Sequence, residues 1–419
     1  MIPLLLLSLA SAAQGGLERI DLLTGPQAEQ RFGATFAQLG DIDQDGVNDF
    51  AVGSPGYLSP TWAWGGGKVE VFSGADRSLL YTVKPNPGVD SLLGLTLNTL
   101  GDINQDGVNE ILVGAGGFAA AYVVNGANGQ RISEVLTNSN GQVGMTSMVV
   151  GDMNQDGLPE FALGLPNETV DGIFGAGRVL LFDGSTGIQI KELRGSMQDQ
   201  SLGKYMCAPG DLNGDGMPDL MMNGSEGSTL YSDGFTAYSG RNLQPMYSQS
   251  RHSLLMSISG MQAFRDFNQD GTIDFLVSGY QRNFDRSWVQ GVTRILSGVD
   301  GSVLHQINGF QFDEFGSKLA TLGDVNGDGV IDFGTVEFHL NRLWQIKPHI
   351  RIFNGADASE IVSFGSEDFG FFTVDLCGLS DLDQDGRSEI VLRISGETVG
   401  GGTPGFNPGG EVHLIGFKN

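Results

Sequence analysis

Short apolar runs separated by Gly, Asp and Asn recur along the whole chain, and no segment holds a sustained helical apolar period. Such runs, rich in β-branched and aromatic residues and bounded by turn formers, predict strands and an all-β protein. Their order repeats. A strand runs into an acidic loop, a second leaves it ("DFAVG"), a third alternates and ends in Gly ("GKVEVFSG", "GRVLLFDG"), and a fourth follows ("SLLYTV", "SVLHQI").

The acidic phrase occurs seven times, beginning at Asp41, Asp102, Asp152, Asp211, Asp266, Asp324 and Asp381, with intervals of 61, 50, 59, 55, 58 and 57 residues. That period exceeds the short solenoid repeats and fits a four-stranded propeller blade. The expected fold is a seven-bladed β-propeller with four antiparallel strands per blade. Counting the ends leaves the last blade one strand short after "GEVHLIG", while "LERIDLL" (17–23) has the form of a fourth strand with no third before it. The N-terminal strand is therefore expected to close the last blade, which removes the exposed sheet edges of an open ring.

Each phrase reads D-x-[DN]-x-D-G-x-x-[DE]. Side chains at positions one, three, five and nine and the carbonyl of position seven converge when Gly at position six makes a sharp turn. The ligand positions are Asp41, Asp43, Asp45, Val47 and Asp49 in the first loop and Asp102, Asn104, Asp106, Val108 and Glu110 in the second. They are Asp152, Asn154, Asp156, Leu158 and Glu160 in the third and Asp211, Asn213, Asp215, Met217 and Asp219 in the fourth. The fifth has Asp266, Asn268, Asp270, Thr272 and Asp274; the sixth has Asp324, Asn326, Asp328, Val330 and Asp332. The seventh has Asp381, Asp383, Asp385, Arg387 and Glu389. Five donors, six with a bidentate ninth residue, approach the six to eight hard oxygens that Ca²⁺ prefers, and up to seven Ca²⁺ are expected. A helical calcium module is not indicated, because the twelfth positions, Val52 and Val113 among them, fall within predicted strands instead of supplying a Glu.

Charge agrees. The 419-residue chain carries −26, and 23 of its 49 acidic residues occupy ligand positions, leaving 26 to balance 23 Lys and Arg. With no clustered basic residues, nucleic acid is excluded as a partner. The opening "MIPLLLLSLASAAQ" is expected to be a signal peptide, residues 1–12, cut near Ala12, or else a strand-like apolar arm; the propeller then occupies 13–419. No run reaches about 18 apolar residues, so no membrane span is predicted and the product is expected outside the cytoplasm.

The phrases "RFGATFAQLGDIDQDGVNDFAVGSP" and "FGSKLATLGDVNGDGVIDF" resemble FG-GAP repeats, the units of the integrin alpha-subunit N-terminal propeller and of many secreted bacterial proteins. The resemblance covers nearly the whole chain after residue 12. It implies calcium held by the matching loop positions on one face and ligand contacts often on the other. Departures are Gly334-Thr335-Val336 in place of the "GAP" element, and Arg265 and Ser380 in place of Gly before the first ligand of loops five and seven. With Arg387 beside the seventh carbonyl, those two sites are expected to be the weakest.

Catalytic chemistry is not indicated: the five histidines form no HExxH or other compact set, and no GxSxG, P-loop or GxGxxG motif occurs. Cys207 and Cys377 each precede a loop aspartate by four residues, on equivalent strands three blades apart, and are expected to be free and buried. Trp62, Trp64, Trp288 and Trp344 all fall between second and third strands, in long loops on the face opposite the calcium loops. They either pack over a blade or form a recognition surface, with Tyr57, Arg282 and Arg286 nearby. The reading is a non-enzymatic, monomeric, extracellular adhesion or binding module for a protein or glycan. The alternatives are a propeller-based polysaccharide lyase or hydrolase and a purely structural surface protein.

Overall fold

The computed structural model describes residues 17–25, 31–56, 66–86, 92–116, 120–136, 146–224, 234–250, 254, 256–282, 289–311, 318–340, 346–365, 374–394 and 411–417. Its strands form seven four-stranded antiparallel sheets, six of them ordered as the chain runs. Blade one is Thr35–Gly40, Asp49–Ser54, Lys68–Phe72 and Leu79–Val83. Blade seven is Val374–Leu379, Glu389–Ile394, Glu411–Phe417 and, as its fourth strand, Leu17–Thr24. Leu17 pairs with Phe417 and Thr24 with Glu411, with one irregularity between Arg19 and Asp21. The expected ring closure is what the chain does.

Packing explains the apolar runs. The second strands Asp49–Ser54, Glu110–Ala115 and Glu160–Leu165 are buried at every position, because both faces of a blade are covered by its neighbours. Among the described residues most buried apolar side chains fall into seven clusters, each shared between two adjacent blades. The cluster closing the ring joins Phe32, Val47, Phe50 and Val52 to Leu379, Leu382, Val391, Val412 and Leu414. Across the same seam the buried Arg393 donates from Nε to the Phe32 carbonyl at 3.1 Å.

Blade contact is close enough to forbid a side chain at Gly53 and Gly164, which end the second-strand runs "FAVG" and "FALG". A Cβ on Gly53 would lie 2.4 Å from the carbonyl oxygen of Gly94 in blade two, and Thr35 Oγ1 donates to that same oxygen at 2.8 Å. Glycine thus sets the spacing between neighbouring blades.

Blades five and six correct one expectation. Their second and third strands pair as far as Arg282 with Val289 and Leu340 with Ile346, so much of what reads as long loop is extended hairpin. The four tryptophans, Tyr57, Arg286 and residues 1–12 lie outside the described residues. Cys207 and Cys377 are both free, on the first strands of blades four and seven; Cys207 is buried, but Cys377 is only half-buried.

Candidate metal centres

Every acidic loop joins the first strand of its blade to the second, and all seven share one hydrogen-bonded frame. The first-position carboxylate accepts two amides: from position five on Oδ1, as Asp45 to Asp41 at 3.0 Å, and from the position-six Gly on Oδ2, as Gly46 to Asp41 at 2.9 Å. The same pair recurs at Asp102, Asp152, Asp211, Asp266, Asp324 and Asp381. The third-position oxygen also accepts the position-five amide, and the fifth-position carboxylate accepts that of position seven. Local side-chain bonds of this kind hold a loop that has no ladder of its own.

Two backbone positions make the turn. The sixth-position Gly has φ between 83° and 93° in all seven loops, with open space where a Cβ would stand, so the conformation and not crowding demands it. The fourth position is also left-handed: Gln44, Gln105, Gln155, Gln269 and Gln384 have φ of 61–66°, and Gly214 and Gly327 take the same place in blades four and six. A Gln in this region is strained.

The ninth residue braces the loop from beneath. Asp49, Glu110, Glu160, Asp219, Asp274, Asp332 and Glu389 are all almost completely buried. Each accepts the amide of position two, for example Ile42 to Asp49 at 2.7 Å and Val325 to Asp332 at 3.0 Å. The four aspartates use their other oxygen for the Gly after the third strand: Gly74, Gly240, Gly298 and Gly355, at 2.8–3.0 Å. Burial, opposed by these amides, raises the pKa of all seven, Asp332 to about 6, Glu160 to about 7 and Glu389 to about 8. Such groups favour a bound proton or cation over a bare charge.

Carboxylates gather in four of the loops. One oxygen from each of Asp41, Asp43 and Asp45 lies within 4.8 Å of the others, and so do those of Asp102, Asp106 and Glu110, and of Asp381, Asp383 and Asp385. In blade three the group is Asp156, Glu160 and Asp183, the last from outside the loop. The donor set is entirely hard oxygen, and the buried Glu160 Oε1 has no hydrogen-bond partner, features that suit Ca²⁺. Among the described residues, blades four to six bring no three carboxylates this close.

Spacing alone misses the residue that follows the third strand. In blades one, two and six it donates to the fifth-position Oδ2: Ser73 to Asp45 at 3.1 Å, Asn125 to Asp106 at 2.8 Å and Asn354 to Asp328 at 2.7 Å. The bond from Asn125 is the largest cause holding the Asp106 carboxyl below its usual range. Its sequence signal is faint, a Ser, Asn or Asp before the terminal Gly of the third strand.

Loops five and seven, which lack the preceding Gly, keep the same frame. The Gly in the other loops marks a bulge, as at Gln38/Gly40. Blade five instead continues pairing, Asp274 N donating to Arg265 O at 3.0 Å.

Comparison with known proteins agrees with this architecture. Over 102 residues, 23% of this chain and 9% of the relative, the sequence is 40% identical to integrin alpha-IIb of Homo sapiens. Over 129 residues, 29% and 12%, it is 34% identical to integrin alpha-3 of Cricetulus griseus. The matched segments thus span about a tenth of the length of these relatives. BBS1N, solved in complex with ARL6DN, superposes with a TM-score of 0.58 over 94% of both chains at 8% identity, a likeness of fold alone. No family model matches the chain. Relatives and fold are together consistent with an FG-GAP propeller of the integrin alpha kind.

Proposed function

We propose that the chain is an extracellular, calcium-stabilised propeller that serves as a binding or adhesion module for a protein or glycan. The observation that carries this reading is the single hydrogen-bonded frame repeated in seven loops, which holds the oxygens of positions one, three and five in the same relation each time. Side chains at loop positions one, three, five and nine, with the seventh carbonyls, would hold up to seven Ca²⁺; the ion supplies charge neutralisation and rigidity, not chemistry. The millimolar affinity usual for extracellular modules matches calcium outside cells and not the cytosol.

The similarity to integrin alpha subunits supports adhesion over catalysis. The proposed contact surface is the face where second strands pass to third, carrying Trp62, Trp64, Trp288 and Trp344 in sequence. A screen of the purified monomer against protein and glycan arrays, with and without calcium, tests the reading. Calcium-dependent capture supports it; no metal uptake by calorimetry, or turnover of a polysaccharide, overturns it.

A further inference from the structure

Blade three departs from its counterparts at a position outside the nine-residue loop. Where blades one, two and six place a neutral donor against the fifth-position carboxylate, blade three has Asp183. Its Oδ1 does the turn-forming work of the other blades, accepting Ser185 Oγ at 2.7 Å and Thr186 N at 2.8 Å, as Asn125 Oδ1 accepts Asn128 N at 3.1 Å. Its Oδ2 has no such counterpart. It sits 3.0 Å from Asn154 Nδ2, which is also 3.0 Å from Asp156 Oδ2, so one amide nitrogen bridges two carboxylates.

The consequence reaches Glu160. In blade two the equivalent amide, Asn104 Nδ2, donates to Glu110 Oε1 at 2.7 Å. In blade three Asn154 is drawn instead toward Asp183, and Glu160 Oε1 is left fully buried without a hydrogen-bond partner. An unpartnered buried carboxylate oxygen is costly. Lys191, the cation whose charge acts on Glu160, directs its ammonium to the carbonyls of Gly240 at 2.6 Å and Arg241 at 3.0 Å. One oxygen each of Asp156, Glu160 and Asp183 nevertheless lies within 4.8 Å of the others. Oxygens that share a Ca²⁺ at 2.3–2.6 Å are separated by no more than about 5 Å.

We propose that Asp183 is an additional ligand of the blade-three cation, supplied by the third strand, so that Asp152, Asp156, Glu160 and Asp183 make this a four-carboxylate site. The assignment rests on the calcium reading of the loop itself. It moves blade three from the three-carboxylate loops into the charge class of blades one and seven, and more ligand charge means tighter binding.

The test is calcium titration of the full chain and of Asp183→Asn, followed by amide NMR at Gly157 in blade three and Gly107 in blade two. The substitution keeps the turn-forming oxygen and restores the side chain found at Asn125 and Asn354. The Gly157 midpoint should move to at least fivefold higher calcium while Gly107 stays in place, and the melting temperature in chelator should hold or rise. Unmoved Gly157 in a protein that binds calcium elsewhere overturns the assignment, as does a melting temperature that falls equally in chelator, which would make Asp183 a turn residue only. If neither glycine responds in the wild type, the calcium reading of the loops fails instead.

Discussion

Arg241 lies across Asp215: its Nε is 3.2 Å from Oδ2, and its Nη2 donates to the Asp215 carbonyl at 2.7 Å. A guanidinium therefore partly neutralises the blade-four loop, at the fifth ligand position. Both side chains reach solvent, so the pair is worth at most about 1 kcal/mol, or roughly fivefold in affinity. Arg241→Gln should tighten calcium at blade four by about two- to fivefold, read from the Gly216 amide during titration. An unchanged midpoint would show that the arginine does not compete.

Metal removal should be costly, because 23 carboxylates occupy seven loops and seven of them are buried at the ninth position. At calcium near ten times Kd each site contributes about 1.4 kcal/mol, and seven contribute on the order of 10 kcal/mol, similar to the whole stability of a typical domain. Melting in excess chelator should drop by well over ten degrees. A melting temperature that survives verified metal removal would refute calcium stabilisation.

Gln269 is exposed yet has φ of 61°. Exposed substitutions usually change stability by less than about 0.5 kcal/mol, but a β-branched side chain is poorly tolerated in the left-handed region. Gln269→Val should cost about 1–2 kcal/mol in calcium-saturated denaturant melts, while Gln269→Gly stays near neutral. Equal effects from both would mean that strain is not stored at this position.

Blade number, strand order, ring closure and the turn at the sixth-position Gly were legible because each repeats within a short window. Contacts that bridge elements were not. Asp183 meets Asp156 only because a hairpin returns the third strand to the loop, and Arg241 reaches Asp215 across 26 residues by the same route. The strained fourth position was hidden because Gln is an unremarkable residue there, and only Gly214 and Gly327 hint at it. Paired strands also extend farther in blades five and six than turn-forming residues suggest, since polar and aromatic hairpin positions read as loop.

Ring closure predicts the effect of truncation. Leu17–Thr24 contributes Leu17, Ile20 and Leu23, partly buried against two clusters, and Asp21 faces Arg77 of blade one with 3.7 Å between Oδ2 and Nε. Three half-buried side chains amount to roughly 2–4 kcal/mol. A chain starting at Thr24 should lose about that much stability and expose the Glu411–Phe417 edge to association. A truncated protein that stays monomeric with the wild-type melting temperature would show the strand to be dispensable.

The proposed binding face yields the final prediction. Acidic loops join first to second strands, and the segments holding Trp62, Trp64, Trp288 and Trp344 join second to third, so antiparallel pairing puts them at opposite ends of each blade. Calcium would then act through the blades, by fixing the strands that present the tryptophans. Blades five and six are adjacent, placing the connections with Trp288 and Trp344 on neighbouring hairpins. Aromatic anchors of this kind dominate binding energy, so Trp288→Ala and Trp344→Ala should each weaken capture of an identified partner by about 2 kcal/mol or more. Calcium titration midpoints at Gly271 and Gly329 should not change, which separates loss of contact from loss of metal. Full-strength binding in both variants and in a Trp62→Ala, Trp64→Ala double variant would move the partner to another surface.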